Sequence, residues 1–360
     1  MLRWWLNALQ IGVVLASVAS RWELLVHEDQ GHVLAKLEGS IDADPRSPLP
    51  PKRARLLGAL VPSLYTMQTT TTRPLSPDDA PVMAALCCAL DRRWWGQDET
   101  ELDEVEQRLR LAGDLDQRSC GIETAAGLVA YGLRFGSHDT DVVIAGELDA
   151  DTRRAVEDKL FGWLTTVEVD RIEAPAQDTD LLATYARHGF VPTSSSFELE
   201  RPAQRPLVGT PPLPEGVQLR PFDRDADAAA VHELIYSFWT EVPTHAHRDL
   251  EEWRELFLGH ASYNADHQVI AWRGAAPVGA AICRIFGGDT GWVTQLGVAH
   301  GERGSGLGRA LLTEATRRLA DTEGVEVVGL SVVARNEQAL GWYRSAGFEV
   351  TREWVTCAPG

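Results

Sequence analysis

Arg303-Gly304-Ser305-Gly306-Leu307-Gly308 is the stretch on which the fold turns. It follows an apolar, strand-like segment (292–299) and opens an amphipathic helix read over 309–320. A glycine-rich turn between strand and helix lets the backbone approach a ligand, because no Cβ stands in the way. Its N–H groups, backed by the positive end of the helix dipole, suit a diphosphate. The run therefore predicts a nucleotide-derived ligand, although taken alone it also fits a tight strand–helix connection.

Three glycine signatures compete for this run. A P-loop needs Lys and then Ser or Thr after its last glycine, and Arg309-Ala310 stand there instead. A G-x-G-x-x-G dinucleotide fingerprint puts Arg309 or Leu311 in its third glycine slot, where close helix–strand packing requires glycine. The pattern R/Q-x-x-G-x-G/A is met by Arg303, Gly306 and Gly308. Downstream, Leu311, Leu312, Ala315, Leu319 and Ala320 form an i, i+3/i+4 apolar stripe. Residues 325–333 then read as a buried, β-branched strand. In 336–348, Asn336 is placed to cap a short helix carrying Tyr343, and Gly347 to end it.

With both motifs in this order, residues 217–357 resemble a GNAT (GCN5-related) N-acetyltransferase domain. The N-x-x-A-x-x-x-Y-x-x-x-G-F segment is carried by Asn336, Ala339, Tyr343, Gly347 and Phe348. The resemblance implies acetyl-CoA as acyl donor and a primary amine as acceptor.

At 360 residues the chain has room for two domains. A net charge of −18 argues against nucleic acid or an anionic membrane as partner. It suits a cationic small molecule, or solubility alone. Cys87, Cys88, Cys120, Cys283 and Cys357 are odd in number and lack C-x-x-C spacing, so neither a disulfide framework nor a metal site is expected. Reduced thiols and a CoA-type donor fit the cytoplasm. Residues 1–20 loosely follow a signal peptide, but Asn7 and Gln10 interrupt an apolar stretch too short to span a bilayer. Residues 1–66, with a Pro- and charge-rich segment at 42–55, are expected to be a poorly structured extension or linker, or to follow a mis-set start before Met67.

The region before the acetyltransferase-like domain repeats it. Arg73-Pro74-Leu75 echoes Arg220-Pro221-Phe222, and residues 127–133 echo 276–282. Leu182, Tyr185, Gly189, Phe190 and Thr193 match Leu340, Tyr343, Gly347, Phe348 and Thr351. A nearly constant offset over three patches marks a duplication. The first copy has one glycine, Gly146, with Glu147, Asp149 and Asp151 where a diphosphate would lie. That copy is not expected to hold CoA, and Tyr185 reads as a packing residue. The fold class expected is mixed α/β: two GNAT-like domains in tandem, each a mostly antiparallel sheet flanked by helices, similar to the mycothiol synthase-like group. The boundaries read are 67–200 for a degenerate domain, 201–216 for a Pro-rich linker and 217–357 for a catalytic domain.

The resemblance also assigns roles. The backbone of Arg303, Gly304, Ser305, Gly306, Leu307, Gly308 and Arg309 would cradle the diphosphate. Main-chain groups of Leu296, Gly297 and Val298 would pair with the pantetheine arm, the Val298 N–H facing the developing oxyanion. Tyr343 is the candidate general acid for the leaving thiolate. Asn336 either contacts the pantetheine amide or only caps its helix. The general base is not evident: the strand before the loop offers Thr294 and Gln295, which are not bases, leaving Asp289, Glu241, His245 and His247. Three functions stay open: a small-molecule N-acetyltransferase, a non-catalytic acyl-CoA-binding or regulatory protein, and a protein lysine or N-terminal acetyltransferase. Oligomeric state is not legible.

Overall fold

The computed structural model describes residues 69–207, 209, 211–239 and 247–360. Of residues 1–67, which group as a separate unit, it gives only strand segments between Trp5 and Ser40, so the expectation for 1–66 lies outside the described residues. Residues 68–360 form the other unit. Its first half runs β1 (Thr71–Arg73), α1 (Ala80–Trp95), α2 (Leu102–Ala112), α3 (Leu115–Arg118), β2 (Ser119–Thr124), β3 (Gly127–Phe135), β4 (Asp139–Ile144), α4 (Ala150–Leu164), β5 (Ile172–Pro175), α5 (Thr179–Arg187) and β6 (Phe190–Pro202). The second half runs β7 (Val217–Arg220), α6 (Ala228–Trp239), α7 (Leu250–Leu258), β8 (Val269–Arg273), β9 (Ala276–Phe286), β10 (Thr290–Val298), α8 (Leu307–Ala320), β11 (Val327–Val333), α9 (Glu337–Ser345) and β12 (Glu349–Pro359).

The element order repeats, as the duplicated patches predict. Strands β1–β4 make one antiparallel sheet, and β7–β10 make the matching antiparallel run in the second half. Among the described residues only β10 and β11 pair in parallel, which requires the crossover that α8 supplies. Helix α8 begins two residues earlier than its apolar stripe suggests, because Leu307 and Ala310 are buried with Leu311, Leu312, Ala315 and Leu319. These side chains pack with Val293, Val328, Leu330 and Phe348 on one face of the sheet. On the opposite face Val231, Ile235 and Trp253 of α6 and α7 bury Ile270, Ala280 and Ile282.

The halves are joined by a reciprocal strand exchange. The large sheet has the order β5-β12-β6-β11-β10-β9-β8-β7. Strand β6 of the first half lies between β11 and β12 of the second. Strand β12 in turn pairs with β5 of the first half, Ile172 opposite Cys357. The Pro-rich stretch read from Arg201 therefore starts inside a strand: Arg201 is 1% exposed and stacks over Phe348, its guanidinium 5.8 Å from the ring. Polar contacts reinforce the junction. Arg284 pairs with Glu104 at 2.9 Å, Gln107 donates to the Glu255 carbonyl at 2.6 Å, and Arg248 joins Asp139 to Glu252.

Candidate active site

The glycine run forms an open helix start. Gly304 (φ 79°) and Gly306 (φ 87°) lie in the left-handed region, which a side chain would strain. Gly306 is the N-cap of α8 and brings no side-chain cap. A Cβ at Gly304 or Gly306 would meet nothing within 4 Å, so open space lies before the loop. The first-turn amides of a helix have no intrahelical acceptor. Among the described residues only the Ser305 hydroxyl approaches one, the Leu307 N–H at 3.4 Å. Arg303 and Arg309 are both exposed at this end.

The first half closes the same place. Asp149 is the N-cap of α4, and its carboxylate accepts from the Asp151 and Thr152 amides and the Thr152 hydroxyl. Those are the donors a phosphate would need. The Arg153 guanidinium also lies against the Ala145 and Gly146 carbonyls. The acidic residues seen in the sequence act as a built-in anion, which holds the Asp149 carboxyl below the usual range chiefly through its Thr152 bonds.

Beside the open loop, β10 and β11 splay. Their pairing runs from Thr290–Val327 to Val293–Leu330 and stops, while β10 continues to Val298 against β9. Leu296, Gly297 and Val298 thus keep one paired edge and expose the other. The Ala299 amide donates to the Val278 carbonyl, which makes that pair hydrogen-bonded. By the alternation of an antiparallel ladder, Gly297 then bonds toward β9 while Leu296 and Val298 turn N–H and C=O into the splay. Gly297 is needed for a different reason: a Cβ there would sit 2.1 Å from the Phe238 ring, which α6 lays against the strand.

Tyr343 is 8% exposed on α9, stacked on Trp342 at 5.1 Å and edge-on to Phe348. Among the described residues none hydrogen-bonds its hydroxyl. Burial pushes the phenol up to about 12, so it stays protonated through the neutral range. Its counterpart Tyr185 is different. That hydroxyl donates to the Glu173 carbonyl at 3.1 Å inside a cluster with Phe161 and Phe190, the packing role expected. Asn336 caps α9 by accepting from the Ala339 amide at 3.1 Å.

The base candidates fare unevenly. Asp289 is exposed and precedes the paired end of β10, away from the splay; its carboxylate accepts from Thr290. His247 is exposed with its ring against Tyr236. Glu241 and His245 lie outside the described residues. Thr294 donates to the Ile282 carbonyl and Gln295 accepts from the Trp253 indole, so both are held by the scaffold. Sequence reasoning missed Glu198, which strand exchange brings beside β11; nothing in a linear pattern marks a partner strand from the other half.

Of the five cysteines, Cys87, Cys120, Cys283 and Cys357 are buried, and none is in a disulfide. Glu101, Asp103 and His260 gather at the junction of the halves. The Ser262 amide donates to His260 Nδ1, which leaves the proton on Nε2, 3.0 Å from Asp103. Among the described residues no helix is long and apolar enough to cross a membrane.

Residues 228–348 match the family model described as Acetyltransferase (GNAT) family. The chain belongs to the GNAT acetyltransferases. It is 32% identical over 186 residues to a mycothiol acetyltransferase of Saccharomonospora viridis, covering 49% of this chain and 57% of that one. It is 31% identical over 232 residues to that of Streptomyces avermitilis, covering 53% and 73%. The match to the first of these relatives thus spans little more than half of its length. Among solved structures, a GCN5-related N-acetyltransferase from Sphaerobacter thermophilus aligns at a TM-score of 0.61 and 22% identity, covering 81% of this chain and 96% of that one. A tandem GNAT protein from the clavulanic acid biosynthesis pathway aligns at 0.61 and 17%, covering 81% and 99%. The tandem GNAT fold is the one expected.

Proposed function

We propose that the chain transfers the acetyl group of acetyl-CoA to a primary amine of a small molecule by direct attack, in the second half only. The observation that carries this reading is the conjunction, in one half, of an open helix start, a splayed strand edge and a tyrosine with an unengaged hydroxyl. Amides of residues 303–309 hold the diphosphate. Leu296 and Val298 receive the pantetheine arm as an added strand, and the Val298 N–H meets the charge that develops on the carbonyl oxygen. Tyr343, protonated at neutral pH, donates to the sulfur as the C–S bond breaks. A thiolate formed in the same desolvated cleft has its own proton affinity raised, which narrows the gap to a phenol near 12.

The similarity to mycothiol acetyltransferases favours a small-molecule acceptor over a protein, and a CoA donor fits a cytoplasmic setting. The non-catalytic binding reading is disfavoured by the open Tyr343 hydroxyl at the position where Tyr185 of the first half is bonded to the Glu173 carbonyl. The test is thiol release from acetyl-CoA with glucosamine, putrescine, an Nα-blocked lysine and the acceptor used by mycothiol acetyltransferases. Turnover with none of them, alongside intact acetyl-CoA binding, would leave the binding reading standing instead.

A further inference from the structure

The second half has a donor site but no carboxylate on its own strand beside the splay. Parity decides what faces the acceptor side there. Val293 and Leu330, the last paired residues of β10 and β11, both point into the core beneath α8. Their neighbours Thr294 and Ser331 therefore face the opposite side of the sheet, the side on which α6 packs. Ser331 is exposed, and its cross-strand partner on β6 is Glu198. Cross-strand partners hold their Cβ atoms about 5 Å apart on one face. Glu198 is thus a carboxylate one strand from the mouth of the splay, delivered by the first half.

We infer that Glu198 is the proton acceptor for the attacking amine. This rests on the acetyl-transfer reading above and supplies its missing base. The side chain is 18% exposed, open enough to meet a substrate or one bridging water. Its Oε1 accepts from the Trp354 indole at 2.9 Å and its Oε2 faces Arg352 at 3.4 Å, which fixes its orientation and leaves lone pairs free. Arg352 is engaged by both oxygens of Glu99 as well as by Glu198, and the Glu200 charge acts on the same guanidinium, so three carboxylates surround one cation. The Trp95 ring lies against that guanidinium at 4.6 Å and walls the site. An ammonium group is the ligand that such a charge balance favours. Burial raises the Glu198 carboxyl above the usual range, Arg352 and the Trp354 bond oppose this, and Glu99 and Glu200 add to it.

The step balances as follows. The ammonium gives one proton to Glu198, and the neutral nitrogen attacks the thioester carbon. The C–S bond breaks and the sulfur takes the Tyr343 proton. The surplus proton on the new amide nitrogen returns to Tyr343 through solvent and Glu198 gives its own proton up to solvent, leaving N-acetyl amine, CoA thiol, both side chains restored and a single proton released.

The test is the pH profile of kcat/KM for thiol release with the best of the amines named above, in wild type, Glu198→Gln and Glu200→Gln. Glutamine keeps an oxygen for Trp354, so Glu198→Gln should melt as wild type does and bind acetyl-CoA unchanged. Its kcat/KM at neutral pH should fall about 10²–10⁴-fold. The acidic limb set by a carboxyl should vanish, and activity should climb tenfold per pH unit toward the pKa of the amine itself. Wild-type turnover with Glu198→Gln within threefold and the limb retained would overturn the inference alone. Loss of the limb in Glu200→Gln but not in Glu198→Gln would move the role to Glu200 and equally overturn it. An inactive wild type would sink the acetyl-transfer reading, and this inference with it.

Discussion

The duplication supplies an internal control for the role of Tyr343. Tyr343 and Tyr185 occupy matching positions on matching helices, yet one hydroxyl is unengaged and the other donates to the Glu173 carbonyl. Replacing each by phenylalanine removes one oxygen from equivalent places. In Tyr343→Phe no intramolecular bond is lost, so unfolding free energy should stay within about 0.5 kcal/mol of wild type. Loss of a positioned acid should lower kcat by about 10²–10⁴-fold, with kcat/KM falling in step and acetyl-CoA affinity little changed. Tyr185→Phe should do the reverse. A buried hydrogen bond is worth about 0.5–1.5 kcal/mol, and the Glu173 carbonyl is left without its donor. That corresponds to a melting point lower by about 2–4 °C with turnover near normal. Urea unfolding and thiol release on both variants read the two axes separately. Full turnover by Tyr343→Phe would refute the acid assignment. A loss of turnover without loss of stability in Tyr185→Phe would refute the division of labour between the halves.

The remaining expectations concern the donor site, the junction and the chain start. Calorimetric titration should give one acetyl-CoA per chain, since Asp149 already occupies the first half's helix start; two equivalent sites would contradict this. Gly306→Val should weaken acetyl-CoA binding by obstructing the backbone and should cost about 1–2 kcal/mol through its left-handed φ; unchanged affinity would make the loop a mere connector. Burial pushes the Asp139 carboxyl up, but Arg248 and Arg171 outweigh it and hold it below the usual range. Its contribution to stability is therefore full above the unfolded carboxyl range and is lost as pH falls through the lower folded value. Acid unfolding of Asp139→Asn should lack that component, and an identical acid profile would argue against it. A chain beginning at Met67 should be soluble and keep its acetyl-CoA affinity, which gel filtration and titration would check.

What was legible in the sequence was local. Arg303, Gly306 and Gly308 with the Asn336–Phe348 segment announce an open helix start and a capped tyrosine helix, because loop chemistry and capping act within a few residues. The acidic residues at the first half's helix start were legible in the sequence, though not that Asp149 caps α4 with its own carboxylate, which depends on the backbone geometry of the turn. Strand exchange was not legible. The alternation along 190–202 fits a strand in either half, and nothing in it says that Ser331 will be opposite Glu198. For the same reason Glu198 does not enter a base search confined to the second half.

The exchange of β6 and β12 also sets an order of events in synthesis. Strand β5 has β12 as its ladder partner in the sheet, and β12 lies far downstream of it in the chain. The first half, although translated first, cannot complete its hydrogen bonding until β12 has left the ribosome. Its unpaired edge must be kept from other chains for that interval. Nor can either half be shed: a second half cut free at residue 217 would lose the strand between β11 and β12, and with it the middle of its own sheet. The half whose helix start is capped by its own Asp149 is part of its sibling's architecture.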